Sequence, residues 1–151
     1  MSIRRMYLSD LRGVVHLYQD ANIFTNKKAI DDWTRKGLES YPQLSLIYEQ
    51  NGEIIGAISA VLGNQRRAII NDISIQRKYR GRGIGRKLMI KIIGAITKEN
   101  INQITLWVHW SNARAIPFYY SFGFRIKKCT RTYHINGVPN GEDIIYLEKN
   151  I

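Results

Sequence analysis

The residues with the clearest chemical purpose lie between Arg77 and Lys87, in the stretch RKYRGRGIGRK. Gly81, Gly83 and Gly85 alternate there with Arg80, Arg82, Ile84 and Arg86, and Lys87 follows. Glycine lets a chain curl tightly and lets a ligand approach backbone N–H groups with no Cβ in the way. The cations favour an anion, and no Asp or Glu occurs between Ile73 and Lys98. An apolar run with Ile69, Ile70, Ile73 and Ile75 leads into the turn, and neither Gly nor Pro interrupts it, so it reads as a strand. Beyond the turn, Ile84, Leu88, Ile92 and Ile96 recur every four residues, which is one face of a helix. Strand, glycine turn and helix start together make a place to hold phosphate, because unpaired N–H groups at a helix N-terminus and in a backbone nest point toward an anion. The spacing is not G-x-G-x-x-G, since Arg86 stands where the third glycine would fall, and no G-K-[ST] follows to make a P-loop.

The rest of the chain must carry that turn. Residues 3–7 read as a first strand. Ser9 or Asp10 then caps a helix running to about residue 20, with Leu11, Val14, Val15 and Tyr18 on its apolar face. Residues 27–40 form a second helical stretch, closed at Tyr41-Pro42 because the residue before proline avoids helix. Residues 44–49 and 53–62 make a hairpin about Asn51-Gly52, with Gly56 as a candidate bulge. Residues 68–76 add the strand before the turn. After the helix, residues 104–110 form another strand, Ser111 caps a short helix to residue 121, and Gly123 closes it. Residues 124–134 and 143–148 make a final hairpin over INGVPNGE.

A chain of 151 residues is most simply one domain, 1–151. No apolar stretch is long enough to span a bilayer, and Lys91 interrupts the best candidate. The first residues lack the apolar core of a secretory signal. A single cysteine, Cys129, excludes an internal disulfide and a cysteine-based zinc site. A cytoplasmic protein with no membrane partner and no metal is therefore expected. The net charge of +11, from 23 basic and 12 acidic residues, favours polyanions or anionic small molecules. Nucleic acid is the generic partner that such a surplus suggests, with RKYRGRGIGRK as a basic stripe.

Two motifs narrow this. Arg80-x-x-Gly83-x-Gly85 matches R/Q-x-x-G-x-G/A, and in its strand–turn–helix setting the chain resembles the GNAT N-acetyltransferases, which bind the pyrophosphate of acetyl-coenzyme A there. WVHWSNARAIPFYYSFGF is similar to the family's V-x-x-S-N-x-x-A-x-x-x-Y-x-x-x-G-F stretch, with Ser111, Asn112, Ala115, Tyr119, Gly123 and Phe124 in the matching places. The hairpin YEQNGEIIGAI resembles the family's second and third strands, and the likeness in motif order covers about residues 3–150. Gly141, Glu142 and Asp143 resemble the GEDA segment of N-terminal-amine and ribosomal-protein acetyltransferases, with Ile144 in place of the alanine.

The resemblance implies an α/β (α+β) GNAT fold: a mixed central sheet of six to seven strands with helices on both faces. It implies acetyl-CoA as cosubstrate and direct acetyl transfer to a primary amine, with a protein N-terminus among the candidate acceptors. The strand carrying Ile73, Ser74 and Ile75 would splay from its neighbour and offer backbone groups to the pantetheine and to the developing oxyanion. Arg80, Gly81, Arg82, Gly83, Ile84, Gly85, Arg86 and Lys87 would surround the phosphates. Asn112 would contact the cofactor, unless it only caps a helix. Tyr119 matches the family's general acid toward the thiolate, and a phenol can donate while staying un-ionised at neutral pH. The family's usual general-base positions hold Ile69 and Trp107, which cannot accept a proton. His109, two residues beyond Trp107 and on the same strand face, is one substitute. Asp72, on the face opposite Asn71 and Ile73, is another, and a water chain a third. For both side chains a structural role competes. Trp33, Trp107 and Trp110 would line an acceptor groove or join the core. Two alternatives stand beside the enzyme: a nucleic-acid-binding protein, and a GNAT module that binds acetyl-CoA without catalysis.

Overall fold

The computed structural model describes residues 2–21, 25–133, 135 and 138–151. Seven strands form one sheet: β1 (Ser2–Arg5), β2 (Ser45–Gln50), β3 (Glu53–Leu62), β4 (Arg67–Ile75), β5 (Gln103–His109), β6 (Arg125–Arg131) and β7 (Asp143–Asn150), in spatial order β1-β2-β3-β4-β5-β7-β6. Every pairing is antiparallel except β4 with β5, so the sheet is mixed. Helices α1 (Leu11–Ala21) and α2 (Lys27–Ser40) cover one face, where Val14, Val15, Tyr18 and Ile30 pack with Ile47 and Ala57. Helix α3 (Ile84–Thr97) and the short α4 (Ile116–Tyr120) cover the other, where Ile84, Leu88, Ile92, Ile96 and Tyr119 pack with Ile58, Ile70 and Leu106. The expected architecture, with six to seven strands and helices on both faces, is the one observed.

The local signals hold with informative exceptions. Asp10 does not cap α1 directly. A 3₁₀ turn, Leu8–Asp10, comes first, and the Asp10 carboxylate accepts from the Tyr7 N–H at 2.7 Å and from the Arg4 guanidinium at 2.8 and 3.0 Å. The bulge expected at Gly56 falls one residue earlier: Tyr48 pairs Gly56 and Glu49 pairs Ile54, leaving Ile55 extra. Gly56 serves packing instead, since a Cβ there would lie 2.7 Å from Ile75 Cδ1 and 3.1 Å from Leu88 Cδ1. The strand expected through Trp110 stops at His109, and a 3₁₀ segment, Trp110–Ala115, leads into α4. His109, not Ser111, caps that segment, because its ring accepts from the Ser111 N–H. Gly123 closes α4 with φ +91°, as expected of a residue after a helix end. His134, the expected end of the first strand of the last hairpin, and part of INGVPNGE lie outside the described residues. Among the described residues, no helix is long and apolar enough to cross a membrane.

Two features of β4 shape everything that follows. Its parallel pairing with β5 covers only Arg67, Ala68 and Ile69 against Gln103, Ile104 and Thr105. Beyond that the strands part: β4 stays on β3 to Ile75, while β5 stays on β7 to His109. An extra residue, Asn71, sits opposite the Ser59–Ala60 step of β3, and such a bulge bends a strand and re-aims its side chains. Past it, Ile73 and Ile75 face the α3 layer. Asp72 and Ser74 face α1 and α2 instead, where Ser74 Oγ donates to the Leu17 carbonyl at 3.2 Å.

Candidate active site

The parting of β4 and β5 opens a cleft of about 550 Å³, within the range of small-ligand sites. Its walls are the strand end (Ile73, Ser74, Ile75), the glycine turn and first turn of α3 (Arg80, Gly81, Gly83, Ile84, Gly85, Arg86), and the far bank (Asn112, Ala115, Phe118, Tyr119). Two of the turn's glycines answer to the backbone. Gly81 and Gly83 sit at φ +76° and +80°, where side chains are disfavoured. Gly85 is helical and lies beside Phe118, where a Cβ would make an ordinary contact at 3.6 Å.

Gly83 is the N-cap of the fourteen-residue α3, no side chain caps it, and the first turn holds no acidic residue. The first helical N–H groups have no partner within the helix, and they open onto the cleft with the positive end of the helix dipole. Arg80 lines the cleft, and its Nε donates to the Ile75 carbonyl at 2.9 Å, tying the turn to the end of β4. Arg86 lines the cleft and lies over the Phe122 ring. Arg82 stacks on Tyr79 and Lys87 sits on the exposed side of α3, both outside the cleft wall.

A second, smaller cavity of about 70 Å³ adjoins the first. Ala21, Ile73, Asn112 and Tyr119 line both. Trp33, Asp72, Trp107 and His109 belong to the smaller one. Tyr119 therefore stands at the junction. It is buried, its ring meets Phe118 and Phe124 edge-on, and its hydroxyl makes no hydrogen bond to a described residue. Burial, and then the charge of Asp72, push its phenol above the ordinary range, so it stays protonated and acts as a donor.

A model described as the Acetyltransferase (GNAT) family matches residues 3–124. The chain belongs to the GNAT acetyltransferases. It is 31% identical over 134 residues to the uncharacterized N-acetyltransferase ycf52 of Gracilaria tenuistipitata var. liui, covering 78% of this chain and 72% of that one. It is 28% identical over 137 residues to the [Ribosomal protein bS18]-alanine N-acetyltransferase of Escherichia coli K12, covering 88% and 86%. It spans about half the length, or less, of the plant and animal N-alpha-acetyltransferases it also matches. Among solved structures, Naa50 of Arabidopsis thaliana in complex with the bisubstrate analogue CoA-Ac-MVNAL superimposes with a TM-score of 0.79 at 25% identity, over 99% of this chain and 98% of that one. The cosubstrate that goes with this family is acetyl-CoA.

In this GNAT acetyltransferase, His109 is held from both sides. Its Nδ1 accepts from the Ser111 N–H at 3.2 Å and lies 2.7 Å from Ser111 Oγ. A backbone N–H can only donate, so the ring proton sits on Nε2, which donates to Glu142 at 2.8 Å. Sequence spacing offered no sign of that contact, because His109 and Glu142 are 33 residues apart. Asp72 is buried and accepts from the Trp33 indole N–H at 2.9 Å. Trp33 and Trp107 line the smaller cavity, whereas Trp110, considered with them, is 57% exposed on the outer surface. Phe118 and Ala115 were missed as cleft residues. The Ala115 position was visible in the second motif, but nothing in it says that α4 turns Phe118 toward Gly85.

Proposed function

We propose that this protein is an N-acetyltransferase that moves the acetyl group of acetyl-CoA directly to a primary amine, with a peptide N-terminal amine as acceptor. The observation that carries the reading is the junction: a phosphate-ready helix start, an open strand edge and a second cavity converge on Tyr119. The site fits the cosubstrate. The uncapped N–H groups at Gly83, Ile84, Gly85 and Arg86, with the Arg86 guanidinium, suit a diphosphate. The edge of β4 that β5 leaves uncovered, at Ile73, Ser74 and Ile75, suits an amide-bearing arm that can bond as a strand would, although the Ile75 carbonyl is already held by Arg80. Asn112 reaches both cavities and positions the two substrates against each other.

Acetyl-CoA supplies the acetyl group as an activated thioester. The chain's own part is orientation and electrostatics. A backbone N–H at the β4 edge stabilises the oxyanion, a contribution worth about 3–4 kcal/mol per donor in well-measured cases. Tyr119 donates its hydroxyl proton toward the departing sulfur, and the second proton, lost by the nitrogen as it becomes an amide, returns through water to the Tyr119 oxygen. The acceptor ammonium sheds its proton to water. Ile69 and Trp107 cannot take it, and His109 has both nitrogens engaged. His109 instead fixes the corner from β5 into the segment that carries Asn112. The peptide acceptor is supported by the names of the relatives and by the analogue bound to the Arabidopsis enzyme.

The test has two stages. Acetyl-CoA at a hundredfold excess over its Kd stabilises a protein by about 2.7 kcal/mol, a melting rise of roughly 5–10 °C. Thiol release is then followed with a panel of peptides and small amines, and the products are identified by mass. Release only with free α-amine peptides is the expected result. No thermal shift would remove the cofactor site, and a shift without transfer to any amine would leave a binding module.

A further inference from the structure

We propose that the outer face of α3 docks an acidic carrier protein that presents acetyl on a phosphopantetheine arm, so that the chain takes acetyl from a protein-borne thioester as well as from coenzyme A. The inference rests on the acetyltransferase reading and adds a donor class to it.

The cleft wall has cations of its own. Arg77, Arg80, Arg86 and Arg114 line it, with Asp20 as an opposing acid, and the start of α3 adds its N–H groups. These suffice for the phosphates of one small ligand. A second set of cations stands outside the wall. Lys87 and Lys91 on α3, and Lys98 at its C-cap, are exposed and do not line the cleft. No Asp or Glu between Ile73 and Lys98 offsets them. Lys87 and Lys91 are four residues apart, so they share one stripe of the helix, where like charges repel. Arg86 and Lys87 lie in the first turn, at the positive end of the helix dipole, which disfavours cations. Such an arrangement costs the chain stability when it stands alone, and an anionic partner relieves it.

The same face carries apolar features. Ile90 is 54% exposed among these cations. Gly94, one turn further on, is exposed, and a Cβ there would meet nothing within 4 Å. An exposed isoleucine followed by bare backbone gives a partner helix a knob and a hollow to pack on. A nucleic-acid backbone uses neither, and α3 contains no aromatic ring on which a base would stack. An acidic protein is therefore the better fit.

Position selects the kind of acidic protein. Gly85 and Arg86 belong to the cleft wall, and Lys87, Ile90 and Lys91 follow within the next turns of the same helix. Among the described residues, none of α3 lines the smaller cavity beyond Tyr119. A protein seated on α3 thus stands at the entrance of the donor. From there it reaches Tyr119 only through a slender arm laid along the β4 edge. A phosphopantetheine arm supplies one phosphate for the helix start and amides for that edge. In the reaction the acceptor nitrogen bonds to the acetyl carbon and the carbon–sulfur bond breaks. The carrier departs as a free thiol with the proton donated by Tyr119, and water takes the acceptor's protons as with coenzyme A.

The experiment compares three acetyl donors on the full chain, with one α-amine peptide as acceptor and the product measured by mass. The donors are acetyl-CoA, acetyl-phosphopantetheine and an acidic acyl carrier protein whose arm is acetylated. The carrier is expected to exceed the bare arm at least about tenfold in kcat/KM, an advantage that shrinks with added salt. Ile90→Glu combined with Lys91→Glu is expected to erase that advantage. The same variant should keep kcat/KM for acetyl-CoA within about twofold, which shows that it is folded. A carrier no better than the bare arm overturns the proposal, as does an advantage that survives the double substitution. Calorimetric titrations with the unacetylated carrier and with a single-stranded oligothymidylate run alongside. Oligothymidylate binding that the double substitution abolishes, with no carrier binding, gives the face to nucleic acid and overturns the proposal. Carrier binding that the double substitution abolishes, with no transfer from any of the three donors, overturns the acetyltransferase reading alone.

Discussion

Replacing Tyr119 by phenylalanine separates a catalytic phenol from a core aromatic. The change removes one oxygen and keeps the ring, so the edge-on contacts with Phe118 and Phe124, centroids at 5.4 and 6.1 Å, survive. Deleting a hydrogen-bonded group costs about 1 kcal/mol of stability, but the Tyr119 hydroxyl has no partner among the described residues. The expected loss is therefore under about 0.5 kcal/mol. Catalysis should respond on another scale. A positioned proton donor contributes roughly 10²–10⁴ in rate, or about 3–5 kcal/mol of barrier. The assay is thiol release at saturating acetyl-CoA, with a melting curve and a calorimetric titration of acetyl-CoA alongside. Rate should collapse while Tm and cofactor affinity hold. The neighbouring Tyr120 is the control: it is 38% exposed, its ring lies under the Arg125 guanidinium, and Tyr120→Phe should leave the rate intact. A Tyr119→Phe enzyme within threefold of the unaltered rate would refute the donor role.

Two further outcomes follow from the packing and the charges. Gly56→Ala places a methyl 2.7 Å from Ile75 Cδ1 and 3.1 Å from Leu88 Cδ1. Overpacking of this kind costs about 1–3 kcal/mol, and the displaced Ile75 side chain intrudes on the cleft. Both a lower Tm and weaker acetyl-CoA binding are expected, and a more stable variant with unchanged affinity would show that Ile75 turns aside freely. Asp10 is held below the usual carboxylate range, first by hydrogen bonds from Arg4 and also by the Tyr7 N–H, against the opposing effect of burial. Its folded value lies below its unfolded one, so its stabilisation is full above the ordinary carboxylate pKa and is lost as pH falls through the folded value. Acid titration of the melting temperature should therefore show a loss below about pH 4, which Asp10→Asn removes while costing roughly 1–2 kcal/mol at pH 7.

The glycine turn was legible because it is local. Strand, turn and helix are contiguous, and the reasons for Gly83 and for the Ile84, Leu88, Ile92 and Ile96 face are written within a few residues of one another. The same holds for the hairpin at Asn51-Gly52 and for the end of α4 at Gly123. Errors gathered where a side chain acts across the sheet. Gly56 looked like a bulge, yet its reason is α3 passing close above it. Ser111 looked like the cap, yet the strand delivers the His109 ring to that N–H first. Nothing close to Arg80 in the chain says that the bend of the turn brings its Nε to the Ile75 carbonyl.

By itself the chain's order of residues determined the alternation of strands and helices, the phosphate-ready helix start, and the family to which two spaced motifs belong. These depend on periodicity and on backbone preferences that act over a few positions. Only the folded molecule decided where β4 leaves β5, that an extra residue turns Asp72 toward Trp33, and that Tyr119 stands where two cavities meet. Each of those depends on residues tens of positions apart, brought together by the burial of two apolar faces on one twisted sheet.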